Sequence, residues 1–121
     1  MAKILVVDDS PTETFRFREM LQRNGHVVLE ATNGADGVAM TLAEKPDLVL
    51  MDVVMPGMNG FQATRQITRG ADTSNIPVVI VSTKDQETDR VWGRRQGAKD
   101  YLTKPVDEAN LMEVIGKLLP Q

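Results

Sequence analysis

The sequence predicts an α/β domain with a doubly wound, five-stranded parallel sheet, and three observations lead there. Short apolar, β-branched runs recur along the chain, each followed by a segment with helical spacing. The runs at 3–7, 47–52 and 76–82 are almost continuously apolar, as expected when helices cover both faces of a parallel sheet. Strand and helix signals alternate throughout with no repeat, low-complexity tract or linker between them. Right-handed crossovers leave few layouts for such an order, and the doubly wound sheet is the leading one.

The elements justify themselves in turn. KILVV (3–7) reads as a buried first strand. SPTE (10–13) has the spacing of a capping box, in which Ser10 caps, Pro11 suits the first helical position and Glu13 reaches back to the cap amide. Phe17, Met20 and Leu21 recur at helical spacing before Gly25, a natural stop. HVVLEA (26–31) is the second strand, and Ala35, Val38, Ala39 and Leu42 mark the second helix. DLVLMD (47–52) is the third strand, after which Asn59 caps a helix carrying Phe61, Thr64 and Ile67, with Gly70 near its end. IPVVIVS (76–82) is the fourth strand, and a polar helix with Val91 and Trp92 covers about Asp85 to Gln96. DYLT (100–103) is the fifth strand. Asp107 then caps a last helix with Leu111, Val114, Ile115 and Leu118 on one face.

Bulk properties narrow the function. The 121 residues fit one domain, 1–121, and 41% hydrophobic with 26% charged residues carries no bias toward disorder. A formal net charge of -3 supplies no basic field for nucleic acid or anionic lipid. With no Cys, disulfides, thiolate metal sites and a Cys nucleophile are excluded. Met1-Ala2-Lys3 runs straight into an apolar stretch too short for a signal-peptide core or a membrane span, so a cytoplasmic chain without membrane insertion is expected.

In a doubly wound sheet, ligands bind beyond the carboxyl ends of the strands. At those ends this sequence places Asp8-Asp9, Asp52, Ser82-Thr83 and Lys104-Pro105. Clustered carboxylates raise one another's pKa values unless a cation joins them. Oxygen-only ligands select a hard cation, and an incomplete cage with room for water and phosphate favours Mg²⁺. A lysine opposite the acids adds fixed positive charge, which together with the metal suits phosphoryl chemistry. A carboxylate can itself be the nucleophile, and Asp52, alone on an apolar strand tip, is best placed to accept while Asp8 and Asp9 hold metal. Each residue has a plainer reading alone. Asp8 and Asp9 favour the positive end of a helix, Lys104 reads as solvated and Ser82 as a strand terminus. Their meeting at one rim is what outweighs those readings.

ILVVDDS, LVLMDVVMPGMNG, IPVVIVST and GAKDYLTKP resemble the successive motifs of the response-regulator receiver domain of two-component signalling, from about Ala2 to Leu119. The resemblance implies a flavodoxin-like fold with strand order 2-1-3-4-5. It makes Asp52 the phosphoacceptor, Asp9 a direct Mg²⁺ ligand, Asp8 a ligand largely through water and the Val54 carbonyl a further ligand, with Mn²⁺ as a substitute ion. Lys104 pairs with the phosphoryl group and is followed by a cis peptide bond; Ser82 is the switch hydroxyl and Tyr101 the switch aromatic. The phosphoryl group is expected to draw the hydroxyl inward, the ring to follow, and the face of helix four, strand five and helix five to change.

Two departures stand out. Thr83 follows the switch hydroxyl where the family often has a small residue, which leaves Ser82 and Thr83 in competition for the role. Val54 is apolar where many relatives are polar, beside the route of the attacking water, so its side chain is expected to set the phosphate lifetime.

MDVVMPGMNGFQATRQ and TKDQETDRVWGRRQGAKDYLTKPVDE are similar to stand-alone regulators of type IV pilus twitching motility. That implies a chemotaxis-like histidine kinase, or a phosphotransfer domain, as phosphodonor, and either an unidentified downstream protein or a role as phosphate sink. No output domain and no metabolic activity are expected beyond self-phosphorylation and autodephosphorylation. KDQETDR reads as a solvated helix start, while Trp92, Arg94 and Arg95 could line a partner face. His26, the sole histidine, reads as a surface residue and not a phosphodonor.

Two alternatives remain from other classes. One is a degenerate receiver acting as a protein-binding scaffold, although the acceptor, acidic pair and lysine are all present. The other is a Mg²⁺-dependent small-molecule phosphohydrolase, although Val54 stands where such enzymes often carry a second acid. A nucleotide or flavin module is disfavoured, because the first strand leads into acids rather than a phosphate loop.

Overall fold

The computed structural model describes residues 1–120. Five strands alternate with five helices: β1 Lys3–Val7, α1 Pro11–Arg23, β2 Val27–Ala31, α2 Gly34–Glu44, β3 Leu48–Met51, α3 Gly60–Arg69, β4 Val78–Ser82, α4 Glu87–Arg95, β5 Asp100–Thr103 and α5 Glu108–Leu118. All pairings are parallel and the sheet order is β2-β1-β3-β4-β5. This is the flavodoxin-like doubly wound layout expected from the sequence.

The period of two along each strand sorts the core into layers. Ile4 and Val6 of β1, with Leu48 and Leu50 of β3, pack with Phe17 and Leu21 of α1 and Leu111 and Ile115 of α5. Leu5, Val7, Val49 and Met51 point the other way, toward Ala63 and Ile67 of α3. Full burial of each such Leu, Ile or Phe contributes about 1.5–3 kcal/mol. A smaller third cluster of Val53, Ile80, Ala98 and Tyr101 lies apart from these two. Among the described residues no helix is long and apolar enough to cross a membrane.

Three caps follow the sequence reading: Ser10, Asn59 and Asp107 each accept the amide three residues on, and Asn59 and Gln62 close a full capping box. Asn33 caps α2 in the same way, a cap the sequence reading did not name. Gly25 follows α1 at φ +84°, the left-handed turn that a glycine tolerates. His26 sits at the start of β2, its Nδ1 accepting the Ala2 amide.

Two expectations need correction. The buried face of α2 is Gly34, Gly37 and Thr41, with Ala35, Ala39 and Leu42 exposed instead. A Cβ on Gly37 would lie 2.8 Å from a Val7 methyl. The helix therefore docks by its lack of side chain, which an apolar count does not register. The second correction concerns Glu13. Asp8 Oδ1, not Glu13, accepts the Ser10 amide at 2.9 Å, and the Glu13 side chain turns toward Lys104.

Candidate functional site

The sheet register delivers the rim. Val7 of β1 faces Met51 of β3, so the next residues, Asp8 and Asp52, emerge side by side. The ladder continues one step into each: the Asp52 amide donates to the Val7 carbonyl at 2.9 Å and the Asp8 amide to the Ala31 carbonyl at 3.1 Å. Ser82 pairs with Thr103 across β4 and β5, and the Lys104 amide donates to the Ser82 carbonyl at 2.9 Å. The Lys104–Pro105 bond is cis, as the resemblance implies. The loop after β3 is pinned by Gly60, whose amide donates to the Val53 carbonyl at 2.9 Å. A Cβ at Gly60 would sit 1.8 Å from the Asp52 carbonyl oxygen, so only glycine lets α3 begin there.

The side chains converge on one ammonium. Lys104 Nζ donates to Asp8 Oδ2 at 2.7 Å and to Asp52 Oδ1 at 3.3 Å, and lies 3.8 Å from Glu13 Oε1. One oxygen from each of Asp8, Asp9 and Asp52 lies within 4.8 Å of the others, with Asp8 and Asp52 buried and Asp9 exposed. Oxygens of this kind and spacing fit a hard divalent cation reached from the solvent side. A concavity of about 600 Å³, lined by Gly57, Met58, Gln62, Arg65, Gln66 and Arg69, carries none of the acids.

Charge is held here against solvation. Burial first, then the charge of Asp8, pushes the Asp52 carboxyl up to about 6, with Lys104 opposing the shift. Burial alone would lower Lys104, but its hydrogen bond to Asp8 and the charges of Asp52, Asp8 and Glu13 outweigh it and raise its pKa. At neutral pH the site is thus an ionised carboxylate beside a firmly protonated amine. Added positive charge on the acids would relieve the crowding that raises Asp52.

On the β4–β5 side, Ser82 is fully buried and its Oγ accepts the Lys84 amide at 3.1 Å, whereas Thr83 is exposed. The Tyr101 ring is buried, its hydroxyl donating to the Lys84 carbonyl at 2.5 Å. Burial raises its hydroxyl above the ordinary phenol value, against the neighbouring Ser82 hydroxyl. Val54 lies in the loop after β3 and is 62% exposed, unlike the buried Asp8 and Asp52.

Two residues around the site escaped the sequence reading. Glu13 is a third carboxylate beside Lys104, after Asp8 and Asp52, and its place four residues beyond Asp9 was the signal for it. Arg90, expected to be solvated, instead reaches under α4. Its guanidinium donates to the Tyr101 carbonyl at 3.2 Å and to Thr103 Oγ1 at 2.7 Å, and stacks 5.3 Å from the Tyr101 ring centre. Trp92 is 48% exposed, and Arg94 and Arg95 beside it are exposed as expected.

The family model described as the response regulator receiver domain matches residues 4–116. The chain belongs to that family. This receiver domain is 66% identical over 119 residues to Protein PilH of Pseudomonas aeruginosa, covering 98% of each chain. It is 38% identical to the response regulator PleD of Caulobacter vibrioides, of whose length it spans only 26%. Among solved structures it resembles the chemotaxis protein CheY4 of Vibrio cholerae, with a TM-score of 0.91 and 28% identity over 98% of this chain and 99% of the other. It also resembles the receiver domain of a sensor histidine kinase of Pseudomonas aeruginosa, with a TM-score of 0.90 and 27% identity over 97% and 96% of the two chains. That structure carries a magnesium ion coordinated in its active-site cleft. As a receiver domain, the chain is a phosphorylation-dependent signalling switch of two-component systems.

Proposed function

We propose that Asp52 accepts a phosphoryl group from a phosphohistidine and that Lys104, Asp8 and Asp9 make that transfer possible. The observation that carries this is the Lys104 ammonium, 3.3 Å from Asp52 and 2.7 Å from Asp8 at the rim where three acids converge. The Asp52 carboxylate attacks phosphorus, the P–N bond to the donor imidazole breaks, and an acyl phosphate forms. Its pKa of about 6 keeps it ionised at neutral pH and more basic than an ordinary aspartate. Lys104 neutralises part of the charge that the phosphoryl oxygens bring. Asp8, Asp9, Asp52 and the Val54 carbonyl would hold Mg²⁺, which supplies the remaining positive charge when bound. Hydrolysis reverses the state as water attacks phosphorus and releases inorganic phosphate from Asp52.

Ser82 and Tyr101 read the result. A phosphoryl oxygen on Asp52 gives the Ser82 hydroxyl an acceptor for its proton, and a shift of Oγ toward it would pull on the Lys84 amide from which Oγ now accepts; the loop carrying Lys84 also holds the Tyr101 hydroxyl. The change passes to α4, β5 and α5, where a downstream protein docks. The identity to PilH over 98% of both chains supports a stand-alone switch, served by a chemotaxis-like histidine kinase in type IV pilus twitching motility. A cytoplasmic location follows from that partner.

The test is direct. Incubation with Mg²⁺ and acetyl phosphate is expected to add one phosphoryl group by intact mass, absent with EDTA from the start and absent in Asp52→Ala. Absence of an adduct with every donor would support a scaffold. Rapid turnover of a metabolite phosphate would support a hydrolase.

A further inference from the structure

Lys104 is surrounded by more negative charge than one ammonium uses. Asp8 and Asp52 accept its hydrogen bonds, and Glu13 Oε1 stands 3.8 Å away, inside ion-pair range and outside hydrogen-bond distance. That Glu13 oxygen is buried and has no hydrogen-bond partner, an unfavourable state for a carboxylate oxygen. The Ser10 amide that a capping box would offer Glu13 is taken by Asp8 Oδ1 at 2.9 Å. Asp8 therefore spends one oxygen on α1 and the other on Lys104, and it is also one of the three acids that converge as cation ligands. A cation on Asp8 would share the charge that Lys104 now has from it and so weaken its hold on the ammonium. Glu13 is outside that converging set, and among the described residues its ion pair is with Lys104.

We propose that Glu13 is a positioning residue that keeps the Lys104 ammonium over Asp52 once Asp8 is shared with a divalent cation; this rests on the phosphoacceptor reading above. With Asp8 partly neutralised, Lys104 loses its nearest counter-charge and faces a second positive centre. Glu13 is the carboxylate placed to take up the free N–H, and a closure of under 1 Å would complete the hydrogen bond its oxygen lacks. Without that charge, Lys104 holds to Asp8 and competes with the cation.

Calorimetric titration of Mg²⁺ into four proteins tests this: wild type, Glu13→Gln, Lys104→Met and the double variant. Glu13→Gln keeps the shape of a half-exposed side chain, and it is expected to weaken Mg²⁺ binding about five-fold. In the Lys104→Met background the same substitution is expected to change affinity less than about two-fold, because no ammonium remains to be held. Glu13→Asp, which keeps the charge, should recover most of the affinity. Unchanged Mg²⁺ affinity in Glu13→Gln overturns the proposal, and so does an equal loss with and without Lys104, which would mark Glu13 as a distant charge only. A wild type that forms the adduct while Glu13→Gln binds normally removes this inference alone. A wild type that binds no Mg²⁺ removes both readings.

Discussion

Around Asp52 the chain is crowded to the limit, with the α3 backbone so close that a Cβ on Gly60 would overlap the Asp52 carbonyl oxygen. At α4, on the same face of the sheet as α3 but over β4 and β5, only Gly93 of nine residues is buried, Trp92 is half exposed and Arg90 adds polar contacts to β5. Both regions border the same strand ends, yet one is set by hard packing and the other by exchangeable hydrogen bonds. Packing forces are steep and hold the acids and Lys104 in register. Polar contacts at a half-solvated surface can be exchanged at small cost. Under the proposed function, the first region carries the chemistry and the second the readout.

The crowding is the first thing to break. Gly60→Ala is expected to cost about 3 kcal/mol or more, because the new methyl meets backbone and not a movable side chain. Gly116→Ala is its control: nothing lies within 4 Å of a Cβ at that exposed position of α5, and replacing a helical glycine should stabilise by about 0.5–1 kcal/mol. Urea titration measures both. A tolerated Gly60→Ala would show that the β3–α3 loop yields, and the contrast with α4 would collapse.

The charge cluster is the second. In metal-free buffer with chelator, Asp52 titrates near about 6 in the folded chain, raised from its ordinary 3.8 by burial and Asp8. Between those values the folded protein keeps a proton that the unfolded chain has released, so this group makes stability fall as pH rises from about 4 to about 6, then level off. Asp52→Asn removes the penalty. It should be more stable than wild type by about 1–3 kcal/mol at pH 7, with the gain vanishing near about pH 4. A gain independent of pH would place its origin in packing.

How much of this was legible in the sequence follows the same divide. The apolar runs of β1, β3 and β4 identify strands whatever surrounds them, and the residues just past each run must then reach the rim. Asp8, Asp9, Asp52, Ser82 and Lys104 were therefore readable as a group. The α2 face was not, because Gly34 and Gly37 bury by close backbone approach and hydropathy counts side chains. Glu13 matched a local capping pattern, but Asp8 reaches the same amide first, a competition that exists only once β1 and α1 are folded. Arg90 lies in a polar stretch, and its partners are eleven and thirteen residues away on β5. Local pattern finds what burial dictates and misses what long-range polar contacts select.

Arg90 gives the smallest and most discriminating test of the comparison. Its guanidinium stacks on Tyr101 and bonds the Tyr101 carbonyl and Thr103, so one side chain ties α4 to both the Tyr101 ring and its strand. Arg90→Ala leaves the apolar contacts of Gly93 with Ile80 and Tyr101 in place. The expected loss is about 1–2 kcal/mol, a charged hydrogen bond at a partly solvated site. The consequence should be local opening. Amide exchange across Glu87–Arg95 is expected to rise roughly ten-fold while the amides of β1 and β3 keep their protection. Exchange that accelerates equally everywhere would mean that α4 unfolds only with the whole domain. The helix would then be as firmly built as the rim, and the division between chemistry and readout would have to be drawn elsewhere.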